Sequence, residues 1–147
     1  MDCTCGAYHH EKDIGMDVYS KSMRSKIMSR IKGRGNEKTE GRLARLMRAE
    51  SIKGWRRHLP ILGRPDFAFQ NQKLAIFVDG CFWHGCPKCF QLPKQNRVFW
   101  KAKIEGNRKR DRSVNGRLRS LGWKVVRIKE CSLDQKNNVL EKIKKRL

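Results

Sequence analysis

From Gly63 the chain reads Gly-Arg-Pro-Asp-Phe-Ala-Phe, makes a short turn, and continues Leu74-Ala-Ile-Phe-Val-Asp-Gly-Cys-Phe-Trp-His-Gly-Cys-Pro-Lys-Cys-Phe90. A carboxylate after a proline, an apolar strand, exposed-type aromatics, one histidine and three cysteines follow in close order. A core hairpin needs neither the histidine nor the cysteines. The stretch therefore reads as an active site built onto a metal-stapled loop. Cys81-x4-Cys86-x2-Cys89 fits the close clustering of thiolates around tetrahedral zinc. Cys131, just after the last predicted strand, is the best-placed fourth ligand. With no ligand position left for water, such a zinc would be structural and would contribute folding free energy on the order of 10 kcal/mol. The alternative is a loop of reactive free thiols.

Hydrolysis of a phosphodiester needs a metal to hold the phosphate and a group to activate water. Hard oxygen ligands suit Mg²⁺, which takes one or two carboxylates and keeps several waters. Asp66, on the polar side of its strand, is the obvious carboxylate. His84 follows a neighbouring strand and, with a pKa near neutrality, suits proton shuttling. Asp111 could orient the imidazole by accepting its other N–H. The competing reading makes Asp66 a turn residue and His84 a fourth zinc ligand, since His84 stands two residues before Cys86. Phe82 and Trp83 beside the cysteines, and Trp100 near a helix start, are either core packing or surface that stacks on bases.

The elements that must position these groups follow from periodicity. Residues 1–17 show none and read as a mobile tail, in which Cys3, Cys5, His9 and His10 could bind a metal. Residues 18–35 form a basic arm. Within it Ser20 to Ile31 carries Met23, Ile27, Met28 and Ile31 at near-helical spacing, for a docked helix or a cationic arm against DNA. After a Gly33–Asn36 linker, Asn36 is a plausible N-cap for a helix with Leu43, Ala44, Leu46 and Met47 on one face. Glu40 shares that inward stripe, either as a solvated helix-start residue or as a group aimed into a site. Trp55 to Leu59, Asp66 to Phe69, Leu74 to Val78 and Trp123 to Ile128 read as strands. The third is covered on both faces. Arg97 to Leu121 is a long helix with Ile104, Asp111, Val114, Leu118 and Leu121 on its inward stripe, closed by Gly122. Val139, Leu140, Ile143 and Leu147 mark a last helix. Strands flanked by helices give the fold class α/β, a mixed central sheet with helices on its faces.

The 147 residues suffice for one domain with a real core. Lys and Arg number 35 against 14 Asp and Glu, a net charge of +21, which calls for a polyanionic partner. Nucleic acid fits best. No basic amphipathic helix stands alone, and no apolar run approaches the ~18 residues of a membrane span. No charged-then-apolar leader opens the chain, so a cytoplasmic, reducing compartment is expected, with the six cysteines as ligands or thiols.

Gly63-Arg-Pro-Asp-Phe67, Phe77-Val-Asp-Gly-Cys-Phe-Trp-His84, Phe99-Trp100…Lys103-Ile104…Asn107…Arg110-Asp111-Arg112 and Leu121-Gly-Trp-Lys-Val125…Glu130-Cys131 occur in this order. With Ser22-Met-Arg-Ser-Lys26 and Glu40…Arg42-Leu43, the pattern from about Asp17 to Leu133 resembles the very short patch repair (Vsr) DNA mismatch endonucleases. The resemblance implies a restriction-endonuclease-like fold over residues 18–147. It implies a Mg²⁺-dependent nick 5′ to the thymine of a T:G mismatch left by 5-methylcytosine deamination. Asp66 would hold two catalytic Mg²⁺ ions, Val78 adding its backbone carbonyl. His84 would be the general base, Asp111 its partner, and Glu40 the support of a metal-bound water. Phe82, Trp83 and Trp100 would wedge beside the mismatch, and Cys81, Cys86, Cys89 and Cys131 would hold zinc. The implied partners are mismatched double-stranded DNA and, as candidates, mismatch-repair proteins, with the chain a monomer in a bacterial or archaeal cell. Gly85 and Cys86 replace the family's histidine run, and the wider superfamily's acidic-x-Lys signature is absent. A restriction or defence nuclease without mismatch requirement, or a non-catalytic zinc-stapled DNA binder, are the competing functions.

Overall fold

The computed structural model describes residues 20–30 and 35–147. The elements run α1 (Lys21–Arg30), a π-helical turn (Glu37–Gly41), α2 (Arg42–Ala49), β1 (Trp55–Arg57), β2 (Phe67–Phe69), β3 (Leu74–Asp79), α3 (Arg97–Ser120), β4 (Lys124–Lys129), a 3₁₀ turn (Glu130–Asp134) and α4 (Lys136–Lys144). The expected tail at 1–17, with Cys3, Cys5, His9 and His10, lies outside the described residues, as do Ile31 and the start of the linker. In α1, Met23 is about half exposed, so this residue does not dock the helix.

One sheet of order β1-β2-β3-β4 carries the fold. β1–β2 and β2–β3 pair antiparallel, while β3–β4 is parallel, with Leu74 opposite Lys124 and Asp79 opposite Lys129. The parallel pair requires a crossover, and α3 supplies it. Period-2 alternation then divides the side chains. Leu74 and Ile76 of β3, Val126 and Ile128 of β4, and Phe67 and Phe69 of β2 pack against Leu43, Ala44 and Met47 of α2 and Val139, Leu140 and Ile143 of α4. Ala75 and Phe77 of β3 face the other way, toward Val114 and Leu118 of α3 and Val125 of β4. Both faces are thereby covered, and the mixed α/β architecture stands as read.

The structure departs from the periodic expectation at several element ends, β3 running one residue further to Asp79 and β4 spanning Lys124–Lys129. The first strand ends at Arg57, because His58 adopts a positive φ of 50° that breaks the pleat. Asp66 precedes β2 instead of belonging to it. Leu121 is 61% exposed, for the helix ends at Ser120 and Gly122, at φ +80°, turns the chain away. Leu147 is also exposed, beyond the last turn of α4. The Asn36 cap holds: its side chain accepts the Lys38 N–H at 2.9 Å.

Candidate active site and thiol cluster

The last two residues of β3 meet two clusters of titratable side chains, Val78 touching the first through its N–H and Asp79 belonging to the second. Glu40, His58 and Asp66 form the first, and Asp79, His84 and Asp111 the second. Asp66 reaches β3 directly, its Oδ2 accepting the Val78 N–H at 2.6 Å. The turn before it is tight. Gly63 has φ +75°, and a Cβ there would lie 2.4 Å from Val114 Cγ1 of α3, so only glycine lets the chain pass beneath the helix. Arg64, at φ +45°, and His58 hold further strained backbone on either side of the site.

Glu40 is 3% exposed, yet charged. Burial alone would raise its pKa, but hydrogen bonds from Arg57 Nη2 at 2.9 Å, His58 Nε2 at 2.7 Å and the Gly35 N–H at 2.9 Å outweigh this and hold it below the usual range. The half-buried Asp66 goes the other way. Burial pushes its pKa to about 7, the Val78 N–H opposing and the Glu40 charge adding to the rise. With a pKa of about 7 this carboxyl is partly protonated at neutral pH, and a bound cation would favour its ionised form.

In the second cluster the imidazole Nδ1 of His84 lies 2.6 Å from Asp111 Oδ2, across the gap between the loop after β3 and α3. Asp79 Oδ1 is 3.7 Å from the same nitrogen. The loop is fixed from α3 as well: Asn107 Nδ2 donates to the Trp83 carbonyl at 2.8 Å, and Arg108 Nε donates to that of His84 at 3.4 Å. With Nδ1 bound to a carboxylate, Nε2 is the nitrogen left to take a proton. His84 thus groups with the carboxylates, and the four-sulfur cluster forms without it.

Cys81, Cys86, Cys89 and Cys131 bring one sulfur each into a group spanning less than 4.8 Å. Cys86 Sγ is 3.6 Å from Cys131 Sγ, so the loop after β3 meets the 3₁₀ turn after β4. Burial would raise the Cys86 pKa, but the backbone N–H groups of Lys88 and Cys89 and the neighbouring thiols bring it down to about 7. Four sulfurs, three of them buried and one poised as thiolate, are a donor set that fits tetrahedral zinc. The oxygen-rich group at Asp66 fits a harder cation.

Beside this cluster the rings of Phe82, Trp83 and Trp100 pack edge-on or tilted, with centroids 5.2 Å (Phe82–Trp83), 5.2 Å (Phe82–Trp100) and 6.0 Å (Trp83–Trp100) apart. All three remain part-exposed, and Phe99 beside them is exposed. They form a surface ledge, not core.

Three residues of the site escaped the sequence reading. His58 comes into view only with the β1–β2 register: one step beyond the Arg57–Phe67 pair it faces Asp66, and its N–H donates to the Asp66 carbonyl at 3.3 Å. Asp79 and Arg127 are charged residues in strands whose alternation turns them toward α3. Arg127 Nη1 donates to Asp79 Oδ1 at 2.7 Å, and Nη2 lies 3.1 Å from Asp111 Oδ1.

The family model described as DNA mismatch endonuclease Vsr matches residues 16–91. The chain is 43% identical over 116 residues to the type II nicking enzyme V.NmeDIP of Neisseria meningitidis serogroup C, covering 76% of each chain. It is 39% identical over 119 residues to the DNA mismatch endonuclease Vsr of Escherichia coli strain K12, covering 80% of this chain and 75% of that one. It is 37% identical over 116 residues to the type II nicking enzyme V.HpaIIP of Haemophilus parainfluenzae, covering 76% and 81%.

Proposed function

Since the chain belongs to the Vsr family of DNA mismatch endonucleases, we propose that it nicks one strand of a T:G-mismatched duplex 5′ to the thymine, by Mg²⁺-dependent hydrolysis. The observation that carries this reading is the 2.6 Å contact between His84 Nδ1 and Asp111 Oδ2, set at the same strand end as the Asp66–Val78 contact. Asp66 would hold the cation together with the Val78 carbonyl, and Glu40 would support a water beside it. Bound there, Mg²⁺ supplies charge neutralisation at the phosphate and a lowered pKa for water.

The chain's own residues do the rest. Asp111 keeps the proton on His84 Nδ1, so that Nε2 accepts the proton of the attacking water. Arg57 and His58 hold Glu40 ionised. Phe82, Trp83 and Trp100 enter beside the mismatched pair, where unstacking costs least, and recover about 1–3 kcal/mol per base in stacking. The net charge of +21 draws the duplex in and makes binding salt-dependent. Zinc on the four cysteines would be structural and would tie the loop bearing His84 to the end of β4. Among the described residues no helix is long and apolar enough to cross a membrane. We place the enzyme in the cytoplasm, as a monomer, with mismatch-repair proteins as candidate partners.

The test is an end-labelled duplex carrying one T:G mismatch, in several flanking contexts, beside its fully paired twin. A Mg²⁺-dependent nick 5′ to the mismatched T, absent from the paired duplex and from His84→Ala, is expected. The relatives named as type II nicking enzymes favour a second reading, nicking without a mismatch requirement. Equal cutting of both duplexes would select it.

A further inference from the structure

Arg127 stands near the middle of β4, opposite Phe77 in the parallel register, while its neighbours Val126 and Ile128 enter the core on the other face. A guanidinium tucked under a helix must have its donors answered. Here the answers come from three directions. Nη1 goes to Asp79 of β3 and Nη2 to Asp111 of α3, while Nε donates to Asn115 Oδ1 of α3 at 3.0 Å. The guanidinium carbon lies 4.5 Å from the Phe77 ring centroid, which fixes its plane. Both carboxylates it holds flank the same atom, His84 Nδ1.

We propose that Arg127 is a positioning residue for strand cutting. It grips one oxygen of Asp79 and one of Asp111, so that His84 Nδ1 has a single partner and Nε2 faces the reacting water. The proposal rests on the reading of His84 as general base. Asp79 is 7% exposed and Asp111 half-buried, and two such carboxylates beside one imidazole repel each other and compete for its N–H. The fork of an arginine holds them in one arrangement, with Asp111 Oδ2 left to receive the ring. A lysine, as a point donor, cannot span both with fixed geometry. Asp111 and Arg108 from α3, Asp79 from β3 and Arg127 from β4 are the charged groups around His84; Arg108 bonds the loop's carbonyls and leaves the ring alone. A ring displaced by about 1 Å loses on the order of 10²-fold in rate, which is the scale on which this clamp acts.

Steady-state nicking of the T:G duplex is to be measured for wild type, Arg127→Met, Arg127→Lys and the double variant Arg127→Met/Asp79→Asn. The ring ¹⁵N shifts of His84 are read on the same preparations. Arg127→Met should lower kcat about 10–100-fold with KM for DNA within about twofold, and should shift His84 from the pure Nδ1–H tautomer to a mixture. Arg127→Lys should fall between. Adding Asp79→Asn should recover at least ~5-fold in kcat, because the competing carboxylate is gone. An unchanged kcat in folded Arg127→Met overturns the proposal. So does a rise in KM alone, or a loss of kcat with the tautomer intact and no recovery in the double variant. Should Arg127→Met fail to fold, Arg127→Lys and Asn115→Ala carry the test: lowered kcat with a mixed tautomer supports the clamp, and no change in either overturns it. If wild type leaves the T:G duplex uncut, the proposed function fails, and the tautomer comparison still judges the clamp by itself.

Discussion

The carboxylate of Asp66 accepts the backbone N–H of Val78 at 2.6 Å, which fixes the acid at the head of β2 to the penultimate residue of β3. The hydrogen bond does not suffice to keep it ionised. Burial dominates and leaves its pKa at about 7 against an ordinary value of 3.8. The folded protein therefore keeps a proton that the unfolded chain releases. The stability this contributes is complete below about pH 3.8, and it is lost as the pH rises through about 7. Without added divalent ion, wild type should lose thermal stability relative to Asp66→Asn between pH 5 and pH 8. Mg²⁺ at pH 8 should restore wild type alone, by taking the proton's place. A pH-independent gap between the two melting temperatures would contradict this assignment.

The four-sulfur group predicts a second result. Cys131→Ser should lose about one equivalent of zinc by elemental analysis and melt roughly 10 °C lower, for a few kcal/mol of lost stability. His84→Ala should retain its zinc, since its ring bonds Asp111 and not the sulfurs. Zinc lost from His84→Ala would return that residue to the metal.

Gly85 joins the two sites, between His84 and Cys86, at φ +57°. A Cβ there would lie 2.6 Å from Arg108 Nη2 and 2.8 Å from Cγ2 of the buried Ile104. Arg108 could give way, but Ile104 is packed. Gly85→Ala should cost roughly 1–3 kcal/mol in a urea melt and lower nicking more than it lowers DNA affinity, because the imidazole is displaced. A fully active variant of wild-type stability would show that the loop has more room than its contacts imply.

For the aromatic ledge, Trp83→Ala and Trp100→Ala should each weaken binding to the mismatched duplex by about 1–3 kcal/mol and bring it closer to the paired one. Competition titrations at fixed salt would read this. An equal loss on both duplexes would make the rings general contacts without a part in selection.

Much of this was legible in advance because it rests on short-range chemistry. Cys81, Cys86 and Cys89 are close in sequence, and Cys131 had to end beside them once its strand paired parallel to Leu74–Val78. The stripe of α3 placed Asp111 inward for the same reason that it placed Ile104 and Leu118. His58 was not legible, since it acts through a left-handed backbone kink at the end of β1, and neither a three-residue strand nor a positive φ leaves a periodic trace. Arg127 hid differently. Trp123 to Ile128 reads as an apolar strand interrupted at Lys124 and Arg127, and only the position of Asp111 on α3 turns the second interruption into a partner. Leu121 misled because its spacing fits the stripe, although the Gly122 turn lifts it out of the packing.

The sheet order leaves β1 and β4 as its rims, and both are basic. Arg56 and Arg57 are exposed along one. On the other, Lys142 Nζ donates to the Arg127 carbonyl at 3.4 Å, and Lys124 Nζ reaches the Arg146 carbonyl at 2.8 Å. An open strand edge is ordinarily a template on which identical chains stack and precipitate. Here a second copy approaching either rim meets like charge, so the cationic surface that suits a nucleic acid should also keep the polypeptide dispersed at high concentration and low ionic strength, where self-repulsion is least screened.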